Sequence, residues 1–144
     1  MIIKRETLKK IIDFYTGFDY ISETGGIIGG MDGIITEVEF DAGIREKCVC
    51  KYTPNTLVLN KVINERWIEN DRLFMGIFHT HYAKEGKLSK NDIYYINRIM
   101  AAMPEGIKEL FFPIVLFPSL EIVSYLASTD ENGFLLKKDE IRVV

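Results

Sequence analysis

The sequence predicts an α/β fold in which a single mixed β-sheet is sandwiched by helices, with residues 1–144 forming one domain. Three observations lead there. Apolar residues recur at helical spacing in three separate stretches, the run Leu73 to Phe78 has no polar interruption and suits a strand buried on both faces, and Leu120 to Ala127 alternates like a half-buried strand. The resulting order of helix, strands, helix, strand, helix, strands calls for helices on the faces of one sheet.

Leu8, Ile11, Ile12 and Tyr15 make residues from about 5 to 17 an amphipathic first helix, which Gly17 helps to end. Ile21 to Gly30 follows, and its glycines read as close backbone approach within or beside a strand. A phosphate loop would need Gly-Lys-Ser/Thr and a following helix, and neither is present. Asp32-Gly33 is a hairpin turn into a second strand from Ile34 to Phe40, and Arg45 to Tyr52 reads as a third. Pro54 punctuates the chain, and Asn55 can cap a helix whose apolar side holds Leu59, Val62, Ile63 and Trp67. After the strand at Leu73, a third helix carries Ile93, Ile96, Met100 and Met103 and stops near Pro104 and Gly106. Glu109 to Phe117 and Leu120 to Ala127 read as two strands joined at Pro118-Ser119, and Phe134 to Val144 as a final polar hairpin or short strand.

Composition narrows the function classes. At 144 residues, 47% hydrophobic and 27% charged, the chain is an ordinary globular domain with enough apolar content for a core. A net charge of −3, with Lys and Arg not gathered into a stripe, offers no field for a phosphate backbone, so nucleic acid is not an expected partner. The opening MIIKRETLKK is charged where a signal peptide needs an apolar core, and no apolar run reaches membrane-spanning length. The expectation is a soluble, cytoplasmic protein with no membrane association. Cys48 and Cys50 are too close on an extended chain to bond each other well, which excludes a disulfide framework and leaves two reduced thiols, or a soft metal site as a second thought.

The chemistry gathers between Phe78 and Asp92. His79 and His81 are the only two histidines of the chain, and on a strand residues two apart project to the same side. Ser89-Lys90-Asn91-Asp92 opens the third helix, with Ser89 at the N-cap and Asp92 in the first turn. Two imidazoles and one carboxylate can make three ligands of a tetrahedral zinc, with the fourth position left to water as in a catalytic site. Ser-x-x-Asp is also a plain helix-start pattern, in which serine accepts an amide and the acid favours the positive helix end. Spacing alone does not choose between cap and ligand.

Glu23 before Gly-Gly-Ile-Ile-Gly, then His79-Thr80-His81, then seven residues to Ser89-Lys90-Asn91-Asp92, resembles the JAMM pattern of the MPN or JAB-domain zinc metalloproteases, in the form of a small prokaryotic-type member. The resemblance spans nearly the whole chain, because the leading helix, the glycine-rich strand and the helix before His-x-His fall in the family's order. It implies the JAB/MPN, cytidine-deaminase-like architecture and one zinc per chain at His79, His81 and Asp92. It further implies Glu23 as the base that takes a proton from water and Ser89 as the donor to the oxyanion. Spacing by itself does not separate Glu23 from Glu37 or Glu39. One departure stands out: the family commonly has proline after the second histidine, and this chain has Tyr82. Proline is not a ligand, so the difference falls on the loop from Tyr82 to Leu88.

The implied activity is hydrolysis of an amide or isopeptide bond at the C-terminal tail of a ubiquitin-like or sulfur-carrier protein, an extended segment able to add beside an edge strand. The alternatives are a non-catalytic MPN-type scaffold or interaction module, whose members usually lack ligands, and a hydrolase of a small amide. A zinc deaminase is disfavoured, since it wants His-x-Glu and Pro-Cys-x-x-Cys, and this chain has Thr80 inside His-x-His and no such cysteine pair.

Overall fold

The apolar run at Leu73 becomes a central strand, and the rest of the chain is laid on both sides of it. The computed structural model describes residues 1–44, 51–83 and 86–144. Positions 45–50, with Cys48, Cys50 and most of the predicted third strand, lie outside the described residues, as do 84 and 85; Lys51 and Tyr52 are irregular chain. In order, the elements are β1 (Ile2–Ile3), α1 (Arg5–Tyr15), β2 (Gly25–Met31), β3 (Ile34–Asp41), α2 (Thr56–Val62), β4 (Leu73–Tyr82), α3 (Lys90–Ala102), β5 (Glu109–Phe111), β6 (Ile114–Phe117), β7 (Glu121–Asp130), β8 (Gly133–Asp139) and β9 (Arg142–Val143). No helix among the described residues is long and apolar enough to cross a membrane.

The strands form one mixed sheet. β8 pairs β7, β7 pairs both β5 and β6, these pair β4, and β2, β3, β1 and β9 follow in turn. The β4–β6, β1–β3 and β1–β9 pairs are parallel, while β2 runs antiparallel to both of its neighbours. On one face α1 buries Ile11 and Tyr15 against Ile28, Ile35, Phe78 and Val115. On the other, α2 sets Leu59 over Ile27, and α3 sets Ile96 and Met100 over Leu110, Phe112 and Ala127. Removing each such Ile, Leu or Phe from water contributes about 1.5–3 kcal/mol, which is what holds helices on both faces. The sandwiched mixed sheet is therefore the architecture that the periodicities predict.

Local departures have local causes. The two-residue β1 and β9 are too short to carry a period, and sequence reading finds β1 not at all. Asn55 does cap α2, accepting from the Val58 N–H at 3.5 Å, but the helix widens to a π turn at Ile63–Trp67 and tightens to a 3-10 turn at Ile68–Asn70. Glu109 to Phe117 is two strands and not one, because Pro113 has no N–H for the ladder. The interruption is small: Phe112 exchanges backbone bonds with Tyr125 at 2.8 and 3.3 Å, and the Pro113 carbonyl accepts from His79 N–H at 3.1 Å.

Two features aim β4. Its register against β2 passes from Ile28–Gly76 to Gly29–Phe74, so Met75 is an extra residue and the alternation changes phase. Phe74 and Ile77 both face α2 and α3 while Met75 and Phe78 face α1, and His79 and His81 follow Ile77 by twos. Gly76 permits this because a Cβ there would lie 1.9 Å from the Phe111 carbonyl oxygen. The second feature is a latch between the histidines: Thr80 Oγ1 accepts from Thr24 N–H at 3.0 Å, and Thr80 N–H donates to the Thr24 carbonyl at 2.9 Å. Both threonines are buried, and the latch fixes the chain just beyond Glu23 against the middle of His-x-His.

Gly76→Ala is therefore expected to cost about 3 kcal/mol and lower the melting temperature by about 10 °C, measured by thermal unfolding. Thr80→Val keeps the side-chain shape but leaves the Thr24 N–H without an acceptor, and should cost about 1–3 kcal/mol by urea titration, while Thr80→Ser should recover most of it.

Candidate metal centre

The site sits where the end of β4 meets the start of α3. β4 presents both imidazoles toward α3, and the two Nε2 atoms lie 2.9 Å apart. His81 is 2% exposed and His79 more open. The carboxylate of Asp92 closes the group, with Oδ1 at 3.5 Å from His79 Nε2 and Oδ2 at 3.3 Å from His81 Nε2.

Asp92 reaches this position because Ser89 starts α3 with a reciprocal cap. Ser89 Oγ accepts from Asp92 N–H at 3.1 Å, and Asp92 Oδ2 accepts from Ser89 N–H at 2.7 Å. Cap and ligand position, two separate readings of the sequence, are occupied by one carboxylate. Burial on its own would raise the Asp92 carboxyl, but the bonds from His79 and His81, the His79 charge and the Ser89 N–H outweigh it and hold the group well below the usual carboxylate range. It is an anion at neutral pH.

The three side chains fit a first-row divalent ion. With bonds of roughly 2.0–2.1 Å, tetrahedral ligand atoms stand about 3.3 Å apart, and the observed 2.9, 3.3 and 3.5 Å bracket that value. Imidazole and carboxylate are the donor set that zinc accepts, and the His79, His81, Asp92 group can hold a metal ion. His81 Nδ1 is buried without a protein partner among the described residues, unlike the usual imidazole ligand backed by an acceptor.

The other expected residues are also close. Glu23 Oε1 lies 4.0 Å from His81 Nε2, beside the three ligand positions and outside the group, while Glu37 and Glu39 pair with Arg72 and Arg66 away from it. The Ser89 hydroxyl is at an exposed position next to Asp92. Tyr82 ends β4 and packs on Tyr20 with ring centroids 5.2 Å apart, so this residue, which follows the second histidine, is held on the α1 side of the strand. Gly86 is tied to β7 through its carbonyl, which accepts from Tyr125 OH at 2.6 Å.

Sequence reading missed the residues that steady Glu23. Tyr52 N–H donates to Glu23 Oε2 at 3.2 Å, Tyr52 OH donates to Asp41 Oδ2 at 2.9 Å, and the Thr24–Thr80 latch holds the next residue along. Glu23 and Tyr52 are 29 positions apart, and no local spacing signals such a pair. Asp41 has a partial signal in Asp-x-Gly, a turn pattern in which the acid accepts from the N–H two residues on.

No family model matches this chain, and no curated protein does. Solved structures do resemble it. The solution structure of protein DSY2949 from Desulfitobacterium hafniense aligns with a TM-score of 0.68 at 16% identity, covering 100% of this chain and 93% of that one. The crystal structure of AF2198, a JAB1/MPN domain protein from Archaeoglobus fulgidus, aligns at 0.54 and 17% identity, covering 100% and 99%. Likeness at this identity carries the fold alone, and the fold of this chain is that of a JAB1/MPN domain protein.

Proposed function

We propose that the protein is a zinc-dependent metallopeptidase or isopeptidase that hydrolyses an amide bond at the C-terminal tail of a ubiquitin-like or sulfur-carrier protein in the cytoplasm. The observation that carries the reading is a carboxylate outside the ligand set but beside it: Glu23 Oε1 stands 4.0 Å from His81 Nε2. A purely structural metal site has no use for such a group, whereas hydrolysis needs a base next to the reacting water.

Zinc, when bound by His79, His81 and Asp92, supplies Lewis acidity and makes a nearby water more acidic. Glu23 takes the proton from that water and returns it to the departing amine, which balances the proton over the reaction. Ser89 accepts from Asp92 N–H through its oxygen, so its own hydrogen stays available to the oxygen that gains charge as the carbonyl is attacked. A tail ending in Gly-Gly suits a site reached by an extended segment, since it brings no side chains to the scissile bond.

Elemental analysis of protein purified without chelator should find one zinc per chain, and His81→Ala should lose it; full stoichiometric zinc in that variant would sink the site. With a ubiquitin-like protein fused through its Gly-Gly tail as substrate, Glu23→Gln should keep zinc and fold while turnover falls by about 10² to 10⁴. Ser89→Ala should lose about 10² to 10³ in turnover and about 1 kcal/mol in stability, because oxyanion donor and cap go together. Wild type that cleaves no tail yet binds a partner equally with and without zinc would favour the non-catalytic scaffold instead.

A further inference from the structure

Gly25, Asp41 and Tyr52 close a circuit behind Glu23. Gly25, two positions after Glu23, pairs with Asp41 across the β2–β3 ladder. The Asp41 carboxylate accepts from Gly43 N–H at 3.0 Å, Asn55 N–H at 2.9 Å and Tyr52 OH at 2.9 Å, tying together both ends of the chain between β3 and α2. A backbone bond from Ile44 N–H to the Thr53 carbonyl at 2.8 Å draws the same ends together. Tyr52 then returns its N–H to Glu23 Oε2 at 3.2 Å. Its ring lies over Gly25, where an added Cβ would come within 2.6 Å of it, so this glycine is what lets the tyrosine approach.

Resting on the reading of Glu23 as the base, we propose that Tyr52 is a positioning residue for that carboxylate, with Asp41 as its anchor. One carboxylate oxygen is held by the Tyr52 N–H and the other, Oε1, is the one that faces His81. A free glutamate samples several rotamers, and a fixed donor on one oxygen selects the one that presents the other. The anchor is strong for a side-chain contact: the Tyr52 hydroxyl is buried and bonded to a carboxylate, which pushes it far above the ordinary phenol range and keeps it protonated and donating. Three donors on Asp41 leave that acid little freedom of its own.

Tyr52→Phe keeps the ring over Gly25 and removes only the hydroxyl. Amide hydrogen exchange at position 52 should become about tenfold faster in that variant, as it should in Glu23→Ala, where the acceptor is gone. With the tail-fusion substrate, kcat should fall about tenfold while KM and zinc content stay close to wild type and the melting temperature drops by only about 3–8 °C, which leaves the protein folded in the assay, a split that unfolding would not give. Exchange at residue 52 that is unchanged in Tyr52→Phe would overturn the clamp, as would full kcat in Tyr52→Phe beside an inactive Glu23→Gln. Full kcat in Glu23→Gln would overturn the base assignment itself, and the exchange rates would still judge the clamp independently of any substrate.

Discussion

Because side chains alternate along a strand, Phe74 and Ile77, three residues apart, can face the same helices only if the chain gains a residue between them, and β4 gains it at Met75. Everything downstream inherits that change of phase. It puts Phe78 and Thr80 on the α1 side, one as core and one as latch, and His79 and His81 on the side from which α3 brings its acid. Gly76, pressed against the Phe111 carbonyl, is the point at which the strand can tolerate the irregularity. Burial of the sandwich and direction of the imidazoles are thus one constraint.

The parts of the site differ in how they are held. The histidines are fixed by a strand with neighbours on both sides, and Asp92 by a helix cap that would exist without any chemistry. Glu23 lies before β2 begins and has no ladder of its own. Its position depends on bonds outside any ladder: the Thr24–Thr80 pair on one side of it and the Tyr52 backbone N–H on the other.

How much of this could be read beforehand follows from the range of each interaction. Helical and strand periods are local, so α1, α3, β3 and the strand holding the histidines were legible, and so was the Ser89 cap with Asp92 three residues on. The bulge at Met75 was not, since an apolar run buried on both faces looks the same in either phase. Pro113 was visible in the sequence, but its effect was to interrupt one strand without ending the pairing, which depends on β4 and β7 lying to either side. The Asp41–Tyr52 contact needs the sheet register to bring its members together. The His79, His81 and Asp92 group was legible because it rests on short-range rules; its supports join distant parts of the chain.

The shared cap at the start of α3 has a consequence for descent. Ser89 and Asp92 stabilise the helix whether or not an ion is present, so selection for folding alone would retain both in a lineage that bound no metal. The imidazoles enjoy no such protection: two ring nitrogens facing each other beside a carboxylate carry a desolvation cost that aliphatic replacements would relieve. Among duplicated copies of this chain, drift would erase the histidines first and the serine and aspartate last. The acid is the weaker marker of retained chemistry, and the pair of histidines the stronger.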